Sequence, residues 1–457
     1  MGGGKSSSIV EALVEEDVSM SEFSRRRFLQ TSGGSAMAAM LPGAMMLGQE
    51  QAGQPAASGD RVRFASIGVG IQGSSLLRAA VTLPQAQCVA ACDLYDGRHT
   101  LAKEIAGAGI KTTRRYQEIL DDKNIEAVIV AVPDHWHKQI TVDAIRAGKD
   151  VHCEKPMAHT IGEGEEMVAV VKSSKNFVQV GSQRVSSKVF GKAKELYDSG
   201  AIGEVHQVEL QLGRNSPGGA WVYPPPLDLS PETLDWVTWQ GSVPKKAFDP
   251  IAFARWRAFH EYGTGMAGDL MVHLLTGMQF VTGINAIPDK AYSIGGIYRW
   301  KDGRNMPDLM VTSFEYGSVP VTVRLTLGTE TPEVTRFMGP KGVIEVSNTN
   351  QVTLTPELGV DRSPAYGING FPAAMHAAYE KQWHAEHDAF LAEHPLDETM
   401  TWKGPSWDEL RPHLATFFDA VRSRKPVVED VVFGHHAAAA CHMANASYFE
   451  NKVIVKA

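Results

Sequence analysis

The most restrictive feature of this sequence is a glycine-rich turn with a strand pattern before it and a helix pattern after it. Residues 62–67 read Val-Arg-Phe-Ala-Ser-Ile, and Gly68-Val69-Gly70-Ile71-Gln72-Gly73 follows at once. Leu76, Leu77, Ala80 and Val81 then recur at helical spacing. A G-x-G-x-x-G between a strand and a helix is the context in which that motif binds a dinucleotide. Gly68 permits the tight turn, Gly70 lets the backbone approach a pyrophosphate, and Gly73 allows close helix–strand packing. Ile71 and Gln72 open the helix, whose free N–H groups face the phosphates. The next strand, Gln87 to Cys92, ends in Asp93, twenty positions after Gly73. An acidic residue there accepts from the ribose hydroxyls. Its charge repels a 2′-phosphate and so favours NAD, while Arg98 nearby would suit a phosphate and keeps NADP open. The competing role for Asp93 is a helix cap or turn residue.

The alternation of strand and helix continues. Helical patterns at 100–106 and 116–121 precede Ile125 to Val132, a nearly continuous apolar run of the kind a strand buried on both faces requires. Pro133 ends that run. A helix over 136–147 with Gly148 as its cap, a strand from Lys149 to Glu154, a helix opened by the Thr160–Glu163 capping box and a strand from Phe177 to Val180 follow. This order predicts a doubly wound parallel sheet.

Composition narrows the function classes. The chain has 457 residues, 43% apolar and 21% charged, the balance of packed domains rather than of a disordered chain. With 44 basic and 52 acidic residues the net charge is −8, which argues against a broad electrostatic match to nucleic acid. No stretch has the ~20 uninterrupted apolar residues of a stable membrane span. Four cysteines in this length exclude a disulfide scaffold. Cys88 and Cys92 on one strand would stand roughly 13 Å apart, beyond disulfide reach. Cys153 and Cys441 read as buried thiols.

Residues 24–30 read Ser-Arg-Arg-Arg-Phe-Leu-Gln, and a mild apolar stretch runs from Thr31 to Gly48. The Arg25–Arg26 pair, with Phe28 and Leu29 ahead of that stretch, resembles a twin-arginine export signal. The resemblance implies recognition by the twin-arginine export machinery and a periplasmic or otherwise exported location. It also implies folding before export, commonly with a cofactor already bound. Gln49 to Asp60 reads as a linker.

Glu154-Lys155-Pro156 stands at the end of a strand some 80 residues after the glycine turn. It resembles the E-K-P signature of the Gfo/Idh/MocA oxidoreductases. Pro133-Asp134-His135-Trp136-His137 resembles that family's P-x-x-x-H segment, and Gly181-Ser182-Gln183-Arg184 the segment leaving the last strand of its Rossmann domain. The carboxyl end of a parallel strand is where open α/β sheets bind ligands. Lys155 there would place a compact cation against a sugar oxygen as hydride leaves the carbon. The resemblance implies a cis peptide before Pro156, Glu154 turned toward the nicotinamide end or Lys155, and Pro133, His137 and Gln183 beside the cofactor.

From Glu204 the pattern changes. Val205 to Leu212 alternates as a half-buried antiparallel strand does. Further strand candidates are 291–298, 309–316, 320–327, 335–338, 342–346 and 351–355, with helices at 412–423 and 431–449. These predict an α+β unit with a large, mostly antiparallel open sheet. Residues 356–408 read as a long irregular insertion. The expected organisation is signal and linker over 1–60, an NAD(P)-binding Rossmann domain over 61–183, and a Gfo/Idh/MocA-type substrate and oligomerisation domain over 184–457.

The stretch from Asp235 to Phe280 resembles the exported branch of the same family, with Trp239-Gln240-Gly241, Pro244-Lys245-Lys246 and Phe253 to Arg257 in order. Asp269 and His273 are four apart, one turn on one helix face. They resemble the family's D-x-G-x-H segment, although Met271 stands in place of its Gly and Thr276 where an acidic residue often follows. The resemblance implies His273 as proton acceptor, Asp269 as its orienter or a hydroxyl ligand, and Arg257 as a substrate contact. A histidine has the right unperturbed pKa for base work near neutral pH. Its neighbours Leu270, Val272, Leu274 and Leu275 equally fit a packed core histidine. Trp236, Trp239 and Trp256 read as core aromatics. His384 with His387, and His435 with His436, lack a matched third ligand, so no metal site is expected.

Together these features imply an NAD(P)-dependent oxidoreductase moving hydride between nicotinamide and a carbinol carbon of a sugar or polyol-like substrate. An exported enzyme would carry its cofactor bound and regenerate it in place. One such cycle is the paired oxidation and reduction of two sugars, as the family's glucose–fructose oxidoreductases perform. The other is redox-assisted glycoside cleavage by oxidation, elimination, water addition and re-reduction. A cofactor-bound binding protein without turnover is a third reading, weakened by Lys155 and His273 together. The resemblance further implies a homo-oligomer, a dimer or tetramer.

Overall fold

A computed structural model describes residues 61–456 apart from 348–349, 358, 360, 396–397 and 406–408. The twin-arginine segment and its linker lie outside the described residues. Six parallel strands build the first sheet: β1 (Val62–Ile67), β2 (Ala86–Cys92), β3 (Lys111–Thr113), β4 (Ala127–Val130), β5 (Asp150–Glu154) and β6 (Val178–Gly181). Their order is β3-β2-β1-β4-β5-β6. The crossovers are α1 (Ile71–Ala80), α2 (Asp96–Ala106), α3 (Tyr116–Asp121), α4 (Asp134–Arg146) and α5 (Ile161–Lys172). This is the dinucleotide-binding order, with the strand order reversing beside β1. The central β4 is buried at every position, as a strand covered by helices on both faces must be. The α5 capping box forms with a one-residue offset. Thr160 Oγ1 accepts from Glu163 N–H, and Glu163 accepts from the His159 N–H rather than from Thr160.

Beyond β6 the chain forms α6 (Lys188–Asp198), a helix without a sequence expectation, and β7 (Gln207–Gly213). The short helices α7 (Trp236–Trp239) and α8 (Pro250–Ala254) precede a π-helical turn at Ala267–Met271, which runs into α9 (Val272–Thr282). The remaining strands are β8 (Lys290–Gly296), β9 (Leu309–Tyr316), β10 (Val319–Thr326), β11 (Thr331–Gly339), β12 (Gly342–Ser347) and β13 (Gln351–Pro356). After them come α10 (Ala373–Glu393), β14 (Met400–Lys403), α11 (Leu410–Ser423), α12 (Val431–Glu450) and β15 (Ile454–Val455). The second sheet has nine strands in the order β14-β13-β12-β11-β7-β10-β9-β8-β15, antiparallel except for the β7–β10 pair. Strand β9 alternates buried Met310, Thr312, Phe314 and Tyr316 with more exposed neighbours, so one face packs and the other faces water.

The stretch 356–408 departs from the expectation of an irregular insertion, because α10 and β14 lie within it and β14 extends the second sheet beside β13. Ala, Glu, Lys, Gln and Met favour the helix, but only Trp383 is buried in α10, so no apolar stripe marks it in the sequence.

The last two helices tie the sheets together. Helix α11 packs against α1 and β1, with Phe418 against Phe64 at 5.0 Å between ring centroids. Helix α12 is apolar nearly all round, and its Ala437 to Ala440 and Ala444 are fully buried. Ala438 packs in the core beneath the parallel sheet, while Ala437, Ala440 and Ala444 pack in the core of the second. Small side chains let one helix serve both. All four cysteines are free thiols.

Candidate active site

The glycine turn shows why each glycine stands where it does. Gly68 has φ +88°, and a Cβ there would overlap the Ala131 carbonyl. A Cβ on Gly73 would overlap the Gly68 carbonyl oxygen, so helix and turn touch backbone to backbone. At Gly70 a Cβ would meet nothing within 4 Å, and this open side faces the amino end of α1. No side chain caps that end and no acidic residue sits in its first turn. Its N–H groups are therefore free for phosphate oxygens. Ile71 is 54% exposed beside them.

Asp93 is bonded to the same turn. Its Oδ2 accepts from Val69 N–H at 2.8 Å and its Oδ1 from Tyr95 N–H at 3.0 Å. Burial raises its pKa, against those two N–H groups and the charges of Arg98 and His99. A carboxylate has about four acceptor positions, so two remain for ribose hydroxyls. These residues fit a bound NAD.

Segment 228–235 crosses over the exit of β2. Leu234 bridges to Tyr95, Asp235 N–H donates to Leu94 O and Asp96 N–H to Thr233 O. Arg114 clamps it by donating to Asp96 and to Glu232 O, and the Tyr95 hydroxyl bonds Asp228. Trp236 and Trp239 stack at 4.9 Å in the small core beneath it.

The E-K-P segment leaves β5 at the carboxyl edge of the sheet, and the Lys155–Pro156 peptide is cis. His137 donates from Nδ1 to Pro156 O at 2.6 Å and is 1% exposed. It is buried, and its ring supports the peptide at Pro156. Burial lowers its pKa. Pro133 caps α4. Asp134 accepts from Thr264 N–H at 3.0 Å and Thr264 Oγ1 at 2.6 Å, which pins the chain leading into the π-helical turn.

Glu154 is held by both glutamines expected nearby. Gln72 donates to its Oε1 at 2.9 Å, Gln183 at 3.3 Å, and Lys155 N–H to its Oε2 at 3.2 Å. Burial raises its pKa and Lys155 opposes this.

Lys155 reaches from the first sheet to the π-helical turn. Its Nζ lies 2.9 Å from Asp269 Oδ1 and 3.0 Å from Asp269 O. Arg257 Nε donates to the same Oδ1 at 3.0 Å, and Trp221 Nε1 to Oδ2 at 3.1 Å. Burial alone would raise the Asp269 pKa, but Lys155 and Arg257 outweigh it and hold the carboxyl far below the ordinary range. With three donors in place, Asp269 orients Lys155 and Arg257 and has little capacity left for a sugar hydroxyl.

His273 lies one turn on, half-buried, and its ring has no hydrogen-bond partner among the described residues. Burial, then the charges of Lys155 and Arg184, push its pKa well below the ordinary histidine value, with Asp269 opposing. The ring is therefore neutral and can accept a proton. It is not a packed core histidine, although Leu270, Val272, Leu274 and Leu275 are all buried. Thr276, in place of an acidic residue, bonds Ser182 Oγ and His273 O and so ties α9 to the end of β6.

Three residues at the site carried no sequence expectation. Trp221 is 2% exposed with φ +60°, a conformation that costs on the order of 1–3 kcal/mol in a bulky residue. Its bond to Asp269 and its burial hold it there. Tyr223 stands near Arg257, Asp269 and Arg214, and burial raises its pKa. Arg214 follows β7. None of the three belongs to a spacing motif. Arg98, by contrast, was expected and lies within electrostatic reach of Asp93. Arg257 also stacks on Trp256 at 4.2 Å, and Trp236 and Trp239 are core aromatics. Among the described residues no group of His, Cys, Asp or Glu is placed to hold a metal ion, and no helix is long and apolar enough to cross a membrane.

Residues 62–182 match the GFO_IDH_MocA family, described as an oxidoreductase family with an NAD-binding Rossmann fold. Inositol 2-dehydrogenase of Salmonella paratyphi B (strain ATCC BAA-1250 / SPB7) is 34% identical over 140 residues, 30% of this chain and 42% of that protein. Inositol 2-dehydrogenase 1 of Saccharopolyspora erythraea is 31% identical over 145 residues, 31% and 43% of the two chains. The matched region thus spans less than half the length of these curated relatives. Among solved structures, levoglucosan dehydrogenase in complex with NADH and levoglucosan superposes with a TM-score of 0.63 at 17% identity, over 86% of this chain and 99% of that one. Aldose–aldose oxidoreductase from Caulobacter crescentus, complexed with glycerol, gives 0.62 at 16% identity, over 87% and 100%. These likenesses show a shared two-sheet fold. Residues 62–182 thus match the NAD-binding Rossmann segment of the GFO_IDH_MocA oxidoreductase family.

Proposed function

We propose that this protein is an NAD-dependent oxidoreductase that oxidises or reduces a carbinol carbon of a sugar or polyol-like substrate. The observation that carries the reading is the Lys155–Asp269 pair at 2.9 Å, which joins the carboxyl edge of the parallel sheet to the turn leading to His273, a neutral ring without a hydrogen-bond partner among the described residues. Bound NAD supplies the hydride acceptor. Lys155 holds its ammonium against the substrate oxygen and stabilises charge developing there. His273 takes the hydroxyl proton in oxidation and returns it in reduction. Asp269 fixes Lys155 and Arg257, and Glu154, held by Gln72 and Gln183, closes the floor of the site. Arg257 and Tyr223 face the substrate side.

A tightly held cofactor belongs to this proposal, supported by the clamped segment 228–235 over the exit of β2. So do export through the twin-arginine machinery, which rests on Arg25 and Arg26, and homo-oligomerisation through the open face of the second sheet. The inositol and levoglucosan dehydrogenases among the relatives support a substrate of the sugar or polyol class.

The test is to purify the protein without added cofactor, denature it and identify the released dinucleotide by chromatography. Native protein is then supplied with NAD and a panel of sugars and polyols. NAD in the extract, or NADH formed with a panel member, is the expected result. A protein that neither contains nor binds either dinucleotide overturns the reading.

A further inference from the structure

Among the described residues, Arg214 is a cation at this site with no anion paired to it. Its own N–H pairs with Thr326 O at 2.9 Å, so the end of β7 fixes its position. The chain then turns back through Ser216 and Gly219, where a Cβ on Gly219 would press on the Arg214 side chain at 3.0 Å. Arg214 is half-buried and opens the segment that carries Trp221 to Asp269, where Trp221 Nε1 donates to Oδ2 at 3.1 Å, and its charge is felt at Asp269, His273 and Tyr223.

The other cations near it are accounted for. Arg184 is closed by Glu333 and Glu409, and Arg255 and Arg304 by Asp302. Lys155 and Arg257 share Asp269. Asp134 adds a second negative charge near Arg257, but its Oδ2 is bonded to Thr264. Lys155 and Arg257 thus share Asp269, with Glu154 also near Lys155, and the Arg214 guanidinium adds a further charge with no hydrogen bond or ion pair among the described residues. A guanidinium stays charged at all working pH values and is costly to desolvate alone. Its fork matches a carboxylate with two parallel hydrogen bonds.

We propose that the substrate is a sugar acid, a uronate or aldonate, whose carboxylate is bound by Arg214. This rests on the oxidoreductase reading and names its substrate class. One unpartnered guanidinium matches one negative charge, so a carboxylate suits it better than a phosphate ester carrying nearly two. Bound there, the carboxylate leaves a ring hydroxyl free to approach Lys155 and His273.

The experiment compares kcat/KM with NAD for matched pairs, glucuronate against glucose and galacturonate against galactose, with gluconate and glucose 6-phosphate as further arms. Wild type, Arg214→Gln and Arg214→Lys are assayed alike. The expected result is an acid-to-neutral ratio of at least tenfold in the wild type, falling towards one in Arg214→Gln and partly restored in Arg214→Lys. Equal use of acid and neutral sugar, preference for the phosphate ester, or equal losses on both members of a pair in Arg214→Gln overturns the assignment. Should no compound reduce NAD, the oxidoreductase reading is decided separately by whether the protein contains or binds a dinucleotide. Calorimetric titration of glucuronate into wild type and Arg214→Gln then decides the anion site by itself: binding lost in the variant supports it, and no binding to the wild type overturns it.

Discussion

Asp269 accepts from Lys155, Arg257 and Trp221 at once, and that concentration of charge decides what its neighbours can do. Replacing it with Asn leaves two half-buried cations sharing a neutral amide. We expect Asp269→Asn to lose about 10²-fold or more in kcat with a smaller change in the Kd for NAD, read by steady-state kinetics and fluorescence titration. Removing the ammonium itself, in Lys155→Met, is expected to lower kcat by about 10³-fold with dinucleotide binding retained. His273 gives a pH signature. Its burial and the surrounding cations keep it neutral well below the ordinary histidine value. The acid limb of kcat/KM for oxidation is therefore expected clearly below about 6.5, and a limb centred at or above that value contradicts its assignment as the base. Lys155, Asp269 and His273 were legible in the sequence because they fall in short motifs of fixed spacing. Trp221 and Arg214 were not, since each acts through a contact made across the fold. His137 was visible as a motif residue, but its bond to Pro156 O was not, because spacing does not show which backbone group a ring reaches.

Elements that obey a period were readable, and those that answer to tertiary contacts were not. The buried run of β4 and the alternation of β9 announce themselves. Helix α10 does not, because its apolar side chains are scattered and it buries only Trp383. The π-helical turn before α9 was read as ordinary helix, since a local insertion in the hydrogen-bond ladder leaves Asp269 and His273 on one side either way. Helix α12 makes the clearest demand at this scale. Its alanines sit in both cores, so added bulk has nowhere to go. Ala440→Leu is expected to destabilise by roughly 1–3 kcal/mol in urea unfolding. Gly73→Ala is a sharper case, because its Cβ would overlap the Gly68 carbonyl oxygen. Loss of dinucleotide binding should accompany its loss of stability.

For the molecule as a whole, two sheets meet at one charged junction, and several histidines are buried in the fold. His135 and His413 are pulled down to about 4, chiefly by burial. Folded, they stay neutral; unfolded, they take up protons below about 6.5. Stability is therefore full above that pH and falls as pH drops toward 4, by up to about 1.4 kcal/mol per pH unit for each histidine. Urea midpoints that do not change between neutral pH and 4 would contradict this burial. The proposed function requires hydride transfer between a sugar carbinol carbon and nicotinamide at the Lys155–Asp269–His273 junction. The most direct measurement mixes protein, NAD and the preferred sugar deuterated at the reacting carbon, and then analyses the dinucleotide by mass spectrometry. One deuterium carried into the reduced dinucleotide by the wild type, with transfer lost in Lys155→Met, is the expected result. A consumed sugar with no deuterium in the dinucleotide, or transfer undiminished in Lys155→Met, contradicts it.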